Sequence, residues 1–186
     1  MFNEFASQKR EKRADQQRVQ ERDERTQQAR RDLYARLNAT ARAYRVAARD
    51  AVRATERGED VESAVLDAAI EAWAEEYSQA RMALSKNVLD VASTLNSALG
   101  VGYTVVKQLP SSLSPDAAYS RAKAWFRGPL SDGVHLLRVT LRHDLGVEVR
   151  PDFEYSLMRG VAALDSERRS LERQLDSEHT QASQSS

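Results

Sequence analysis

Apolar side chains recur every three or four residues along most of the chain, and this spacing is typical of amphipathic α-helices. The first stripe predicts a helix that ends at Gly58, because glycine readily adopts the left-handed conformation of a helix C-cap. The members of this stripe are Leu33, Leu37, Ala41, Tyr44, Ala48 and Val52.

A second stripe follows directly and predicts one long helix over about residues 60–100. Asp60 is placed to cap its N-terminus, and Gly100 marks its end. Its members are Val61, Val65, Ala69, Trp73, Ala80, Leu84, Val88, Val91, Leu95 and Leu99. A turn at Gly58 would bring this helix back antiparallel to the first, so we expect a long helical hairpin.

One antiparallel register of the hairpin aligns apolar and charged positions together. Partner positions then add to about 117, which places Tyr44 opposite Trp73. Any two amphipathic helices align in some register, so the coincidence of both kinds of match is what favours this one. Exposed ion pairs contribute only about 0–1 kcal/mol each, and we expect them mainly to select the register. The pairs predicted beside the apolar seam are Arg42–Glu75, Arg45–Glu71 and Arg49–Asp67.

The outer half of the second helix has no apolar partner in this register, since Val91, Leu95 and Leu99 would face polar residues of the first helix. We therefore expect these residues to pack on the C-terminal helices or on another subunit. In the last helix, Leu171 and Leu175 continue a heptad-like pattern into a charged region. They indicate either a weak self-association seam or an ordinary amphipathic helix end. Together these residues form the candidate partner interface.

The middle of the chain contains a predicted connector and a third helix. Residues 101–114 are interpreted as the connector, with residues 103–106 extended. Ser114 and Pro115 then begin a helix as its N-cap and first residue, and Gly128 ends it.

The C-terminal part predicts two more helices. The first spans residues 131–145, although a β-hairpin over 134–149 is an alternative reading of the same pattern. The last helix runs over about residues 151–176, and we expect the Ser/Gln-rich tail after it to be disordered.

These elements predict an all-α protein, a helical bundle built on a long antiparallel helical hairpin. We expect a charged polar arm over residues 1–31, a bundle domain over 32–165, and a charged helix end with a disordered tail over 166–186. The extensions are expected to be coiled-coil-like or disordered. Composition agrees with this class, because the chain has 27 Ala and 18 Leu but only one Ile, and Ala and Leu lead the helix propensity scale.

Charge and cysteine content exclude some classes of function. The chain has no cysteine, which excludes disulfide scaffolds, thiolate metal sites and cysteine nucleophiles. Its 28 basic and 28 acidic side chains balance, which disfavours a dedicated nucleic-acid binder. The longest uncharged stretch has 16 residues and contains polar side chains, so no transmembrane segment is expected and a cytoplasmic location is the default.

The N-terminal arm is the part of the chain with an unbalanced charge. Residues 7–31 carry nine basic and five acidic side chains but only three apolar ones. Such a segment is either disordered or a solvated helix held by pairs four residues apart. Its basic side chains are a candidate nucleic-acid contact, namely Lys9, Arg10, Lys12, Arg13, Arg18, Arg22, Arg25, Arg30 and Arg31.

No pattern nominates catalytic, cofactor-binding or metal-binding residues. His135 and His143 are eight residues apart, roughly 12 Å along a helix, and could not share one metal ion. No glycine-rich nucleotide loop is present, and the glycines mostly mark predicted helix ends. Trp125 and Phe126 are interpreted as core residues, with a partner anchor as the alternative.

The expected function is therefore that of a non-enzymatic scaffold or adaptor. It would act through self-association or through docking of a protein partner by its helices. The alternative is a nucleic-acid-associated regulator that uses the arginine-rich arm. A third hypothesis is a small-molecule sensor or enzyme with its site in the bundle core.

Overall fold

The computed structural model describes residues 2–59, 63–112 and 114–184, and side chains are described from residue 12 to 180 within these ranges, except that of Ser63. All regular elements in them are helical, which confirms the all-α bundle. A short 3₁₀ turn, Leu109–Ser111, follows the third helix. The helices are α1 (Phe2–Glu56), α2 (Ser63–Ala80), α3 (Lys86–Gln108), α4 (Pro115–Arg127), α5 (Pro129–Asp144) and α6 (Phe153–Gln184).

The chain divides into two units, with the boundary inside α1 between Ala35 and Arg36. The first unit is the N-terminal part of α1, and its side chains are exposed from Lys12 to Ala29. Hydrogen bonds between side chains four residues apart run along it, as from Gln17 to Glu21 and from Gln20 to Glu24. Of the two alternatives for the arm, the structure therefore has the solvated helix.

Helix α3 is the central element of the second unit and packs against α2, α4, α5 and α6. Fully burying an aliphatic side chain contributes about 1.5–3 kcal/mol, so this helix supplies much of the apolar stabilisation. Helix α1 adds a buried stripe of its own with heptad-like spacing, made up of Leu37, Ala41, Tyr44, Ala48 and Ala51.

The predicted long second helix is wrong, because α2 ends at Ala80 and α3 begins at Lys86. The backbone of Ser85 is extended (φ −65°, ψ 159°) and forms the N-cap of α3. Helix α3 then folds back antiparallel to α2, since Asn96 in the middle of α3 contacts Trp73, while Lys107 near the end of α3 contacts Asp67 near the start of α2. A straight helix would have left its outer half uncovered, whereas this turn buries it.

The predicted connector at 101–114 is also wrong over most of its length. Helix α3 continues through Gly100 to Gln108 and keeps Val101, Val105 and Val106 buried. Gly102 lies in this segment where α4 approaches α3, and a Cβ built on it would lie 3.0 Å from Nε1 of the Trp125 indole. The glycine is therefore there for close packing and does not end the helix.

Other glycines do end helices, as predicted for Gly58 and for Gly128, which is the C-cap of α4. Both Gly58 and Gly146 have φ of +70°, a conformation that costs glycine little. After α1, the amide of Gly58 donates to the carbonyl of Thr55 and that of Glu59 donates to Ala54, which is a Schellman cap. Gly146 forms the same cap after α5. Residues 131–144 of the predicted 131–145 are therefore helical, and the alternative hairpin is not formed.

The last helix is longer than predicted. Helix α6 extends to Gln184, over most of the tail that was expected to be disordered, and residues 185–186 lie outside the described part. Near its end, Glu178 accepts two hydrogen bonds from the guanidinium of Arg121 on α4, at 2.5 and 2.8 Å. This contact, together with the burial of Leu171 and Leu175, joins the end of α6 to the bundle.

Candidate functional site

The predicted ladder of ion pairs between α1 and α2 is not formed. Arg45 donates to the hydroxyl of Ser131 on α5 at 3.1 Å, and Arg49 pairs with its neighbour Asp50 at 3.2 Å. Asp67 faces α3, where it accepts from the Tyr103 hydroxyl at 2.8 Å and pairs with Lys107 at 2.7 Å. The physical reason is the turn before α3, which places that helix beside α2.

The remaining members of the ladder also have other surroundings. Arg42 and Glu71 are exposed, and neither has an ion pair among the described residues. Glu75 accepts a hydrogen bond from Gln79 within α2. The one ion pair that joins α1 to α2 in this unit is Arg36–Glu76 at 3.0 Å, again counting only described residues.

Tyr44 and Trp73 are both fully buried, as the predicted seam requires. Each also donates a hydrogen bond to α3: the Tyr44 hydroxyl to the carbonyl of Leu99 at 2.8 Å, and the Trp73 indole to the amide oxygen of Asn96 at 3.0 Å. Burial raises the pKa of Tyr44 well above its ordinary value of about 10, and nearby Tyr103 acts in the same direction. The pair therefore fixes α1 and α2 to α3.

The candidate partner interface inferred from the sequence is buried inside the chain. Val91, Leu95 and Leu99 are fully buried, and both α5 and α6 pack against α3. Leu171 and Leu175 on α6 are also buried, at 5% and 8% exposure, next to residues of α4. These residues are core. Of the alternatives from the sequence, the structure has packing on the C-terminal helices and an ordinary amphipathic helix end, and the reading of these residues as a partner interface is wrong.

A different apolar surface is exposed, on the sides of α1 and α2 that face away from α3. It is a groove of about 710 Å³ between the two helices, which we call the α1–α2 groove. Val65 on α2 is 55% exposed here, where the sequence predicted a core residue, and its neighbour Leu66 is buried instead. Along α1 the lining side chains are small, including Ala39, Ala43, Val46, Ala47 and Ala54.

Two charged side chains of α1 also line this groove. Arg42 and Asp50 line it on α1, four residues before and four after Val46, which is 43% exposed. Asp50 accepts from Arg49 and lies 3.7 Å from Arg53. The surface is thus a strip of small residues that also carries, on the same helix, Arg42, which has no ion pair among the described residues, and the carboxylate of Asp50.

The basic residues of the arm do not form a single face. Successive helical residues are rotated by about 100°, which puts Lys12 and Arg30 on a side of the helix different from Arg18 and Arg22. Several also have partners on α1: Arg18 pairs with Asp15 and Arg25 with Glu21, both at 3.6 Å, and Arg30 donates to the Tyr34 hydroxyl just beyond the arm at 3.2 Å. The side chains of Lys9 and Arg10 lie outside the described part.

The described residues contain no group of three or more His, Asp or Glu side chains that could hold a metal ion. His135 contacts the Arg138 guanidinium, and the ring of His143 stacks on Phe153 with centroids 3.6 Å apart. Trp125 and Phe126 are buried and belong to the core.

The shifted carboxylate and lysine pKa values follow from ion pairs that stabilise structure. Hydrogen bonds from Arg142 and Arg150 lower the pKa of Glu148 in the link before α6. A hydrogen bond from Arg168 lowers the pKa of Asp165, and a hydrogen bond with Asp67 raises that of Lys107. Each of these groups keeps its usual charge at neutral pH, so none is prepared for proton transfer.

None of the helices, as far as the structure describes them, combines the length and the apolarity needed to cross a membrane. Comparison of the chain with protein-family models, with curated proteins and with solved structures found no match. The α1–α2 groove is therefore the candidate site on its geometry alone.

Proposed function

We propose that this chain is a non-enzymatic helical interaction protein, a scaffold or adaptor that docks a helix of a protein partner in the α1–α2 groove. The observation that carries the proposal is the exposure of Val46 and Val65 on facing helices, with small side chains between them. Recognition of this kind places an apolar helix face in an apolar groove.

The geometry of the groove suits a helix better than a small ligand. It is open along its length, and its α1 wall presents apolar positions at 39, 43, 46, 47 and 54. Alanine side chains let a second helix approach closely, toward the lower end of the 8–10 Å range of helix packing. A small ligand needs a concave site that surrounds most of its surface, together with a few convergent polar groups.

The nucleic-acid alternative has less support. Phosphate binding by a helix is strongest where basic side chains share one face, and those of the arm are spread around the helix among acidic ones. It retains a simple test, because binding through the arm would weaken steeply between about 50 and 200 mM salt.

Site-specific photo-cross-linking tests the groove. A photoreactive residue replaces Val46 in the full chain, and a matched variant carries it at Ala162, which is exposed on α6. We expect adducts from position 46 in the host cell and none from position 162; the purified chain can give an adduct at position 46 only with a second copy of itself. Absence of any adduct at position 46 under both conditions would remove the support for a docking groove.

A further inference from the structure

We propose that the occupant of the α1–α2 groove is α1 of a second copy of this chain, packed antiparallel about a two-fold axis at Val46. This inference rests on the proposed docking function and names its partner. In such a homodimer the same surface of both copies forms the interface, so the surface must complement itself.

The small side chains meet the steric requirement. In the proposed register, opposed positions in the two copies add to about 92, so that Val46 meets Val46 of the second copy at the axis. Ala39 then lies beside positions 53 and 54 of the second copy, and Ala43 lies beside position 49. Exposed alanines at these places leave room for the longer side chains that face them.

The charges of α1 complement themselves in this register. Arg42 lies opposite Asp50 of the second copy, and by symmetry this contact is made twice. Arg36 lies opposite Glu56, while Arg49 and Arg53 face alanines. Over residues 36–56, no two like charges oppose one another.

The Arg42–Asp50 contact is the one that selects this arrangement. Exposed Arg42 has no ion pair among the described residues, whereas Arg36 and Glu56 pair with Glu76 and Lys123 of their own chain. Asp50 already pairs with Arg49 and Arg53 of its own chain, so Arg42 of the second copy would be a further cation beside this carboxylate. A parallel dimer would bring Arg42 against Arg42 and Asp50 against Asp50. Like charges placed opposite one another are unfavourable, so the antiparallel arrangement is preferred.

Cysteine cross-linking tests the geometry without background, because the chain has no cysteine of its own. Val46→Cys lies at the axis, and mild oxidation of this variant is expected to give a covalent dimer. Ala39→Cys alone should remain monomeric under the same oxidation, but a mixture of Ala39→Cys and Ala54→Cys chains should cross-link. Ala162→Cys, on the exposed side of α6, measures how much cross-linking arises from random collision.

Charge reversal tests whether the Arg42–Asp50 contact selects the antiparallel dimer. The measurement is sedimentation of the full chain at low salt. Arg42→Glu and Asp50→Arg should each weaken dimerisation about tenfold or more, since each change creates two repulsive contacts. The double variant Arg42→Glu/Asp50→Arg should regain dimerisation, and an equimolar mixture of the two single variants should form heterodimers. Circular dichroism of each variant verifies that the exposed substitutions leave the helices folded.

The outcomes separate this inference from the function on which it rests. A chain that stays monomeric at high concentration, but is photo-cross-linked at position 46 to a different protein, would refute the second copy and retain docking. Efficient self-cross-linking of Ala39→Cys would refute the antiparallel arrangement. No adduct at position 46 of any kind would refute both proposals.

Discussion

Gly133 of α5 lies directly against Leu164 of α6, so close that a Cβ atom on the glycine would stand 2.7 Å from the leucine Cδ2. The relationship is reciprocal, because Gly160 of α6 lies in the same way against Leu136 of α5. Each helix places a glycine against a leucine of the other. The residue numbers of the first pair and of the second pair add to nearly the same sum, as expected for two antiparallel helices. Glycine here permits close approach of two helices.

We expect Gly133→Ala to lower the free energy of unfolding by about 1 kcal/mol. Leu164 is buried and Leu95 also crowds the site, so overpacking of about 1–3 kcal/mol outweighs the gain in helix propensity of about 1 kcal/mol. Urea unfolding followed by circular dichroism measures the change. Gly160→Ala is the matched control: half-buried Leu136 can move aside, and the expected change lies between zero and about 1 kcal/mol of stabilisation.

Gly100 and Gly102 form a second matched pair, within α3. A Cβ on Gly100 meets nothing within 4 Å, so Gly100→Ala should stabilise the chain by about 0.5–1 kcal/mol. A Cβ on Gly102 would lie 3.0–3.3 Å from the buried rings of Trp125 and Phe126, and Gly102→Ala should destabilise it by about 1–3 kcal/mol. Thermal melts of both variants compare the two effects. Equal shifts would contradict the close approach of α4 to α3.

Tyr44→Phe should destabilise the bundle by about 1 kcal/mol. The phenol hydroxyl is buried and donates to the Leu99 carbonyl, and the substitution removes this bond while keeping the ring. The measurement is the midpoint of chemical unfolding relative to the wild type. Tyr155→Phe is the control, because Tyr155 is 59% exposed and should change stability little. Equal effects of the two variants would show that the hydrogen bond contributes nothing.

The same phenol predicts loss of stability at alkaline pH. Because burial raises the pKa of Tyr44 in the folded state, its contribution is fully present below the unfolded value of about 10. As the pH rises above that value the unfolded chain loses its proton first, and the free energy of unfolding falls. Unfolding measured between about pH 9 and 11 should be less pH-dependent in Tyr44→Phe than in the wild type. Identical dependence of the free energy of unfolding on pH in the two proteins would contradict the raised pKa of Tyr44.

The spacing of apolar residues was sufficient to predict the all-α fold, the Gly58 cap and helices α4 and α5. It did not reveal where α2 ends, because the stripe continues in phase through Leu84 and Val88. Ser85 carries no charge, proline or glycine signal, and its side chain makes no capping hydrogen bond. The turn is favoured by tertiary contacts, which bury the residues that a straight helix would have exposed.

The sequence left two partners open for Val91, Leu95 and Leu99, the C-terminal helices or another subunit. The first alternative is confirmed, because α5 and α6 pack on α3 and the three residues are buried. Periodicity alone did not decide between the two, since it does not place one helix against another. The sequence did not predict the exposed groove, because Ala39 and Ala43 are only weakly apolar and because Val65 fitted the spacing of the core stripe. A one-residue difference between Val65 and Leu66 rotates the apolar face by about 100°, which periodicity alone does not resolve.

The turn at Ser85 also bears on how the chain acquires its structure. Because α3 follows α2 and folds back on it, the contact between Trp73 and Asn96 joins residues only 23 positions apart in sequence. Closing short loops costs little entropy, and such topologies fold quickly. We therefore expect α2 and α3 to be able to pair on the ribosome before α5 and α6 are synthesised, which would leave exposed the part of α3 that those two helices cover in the folded chain.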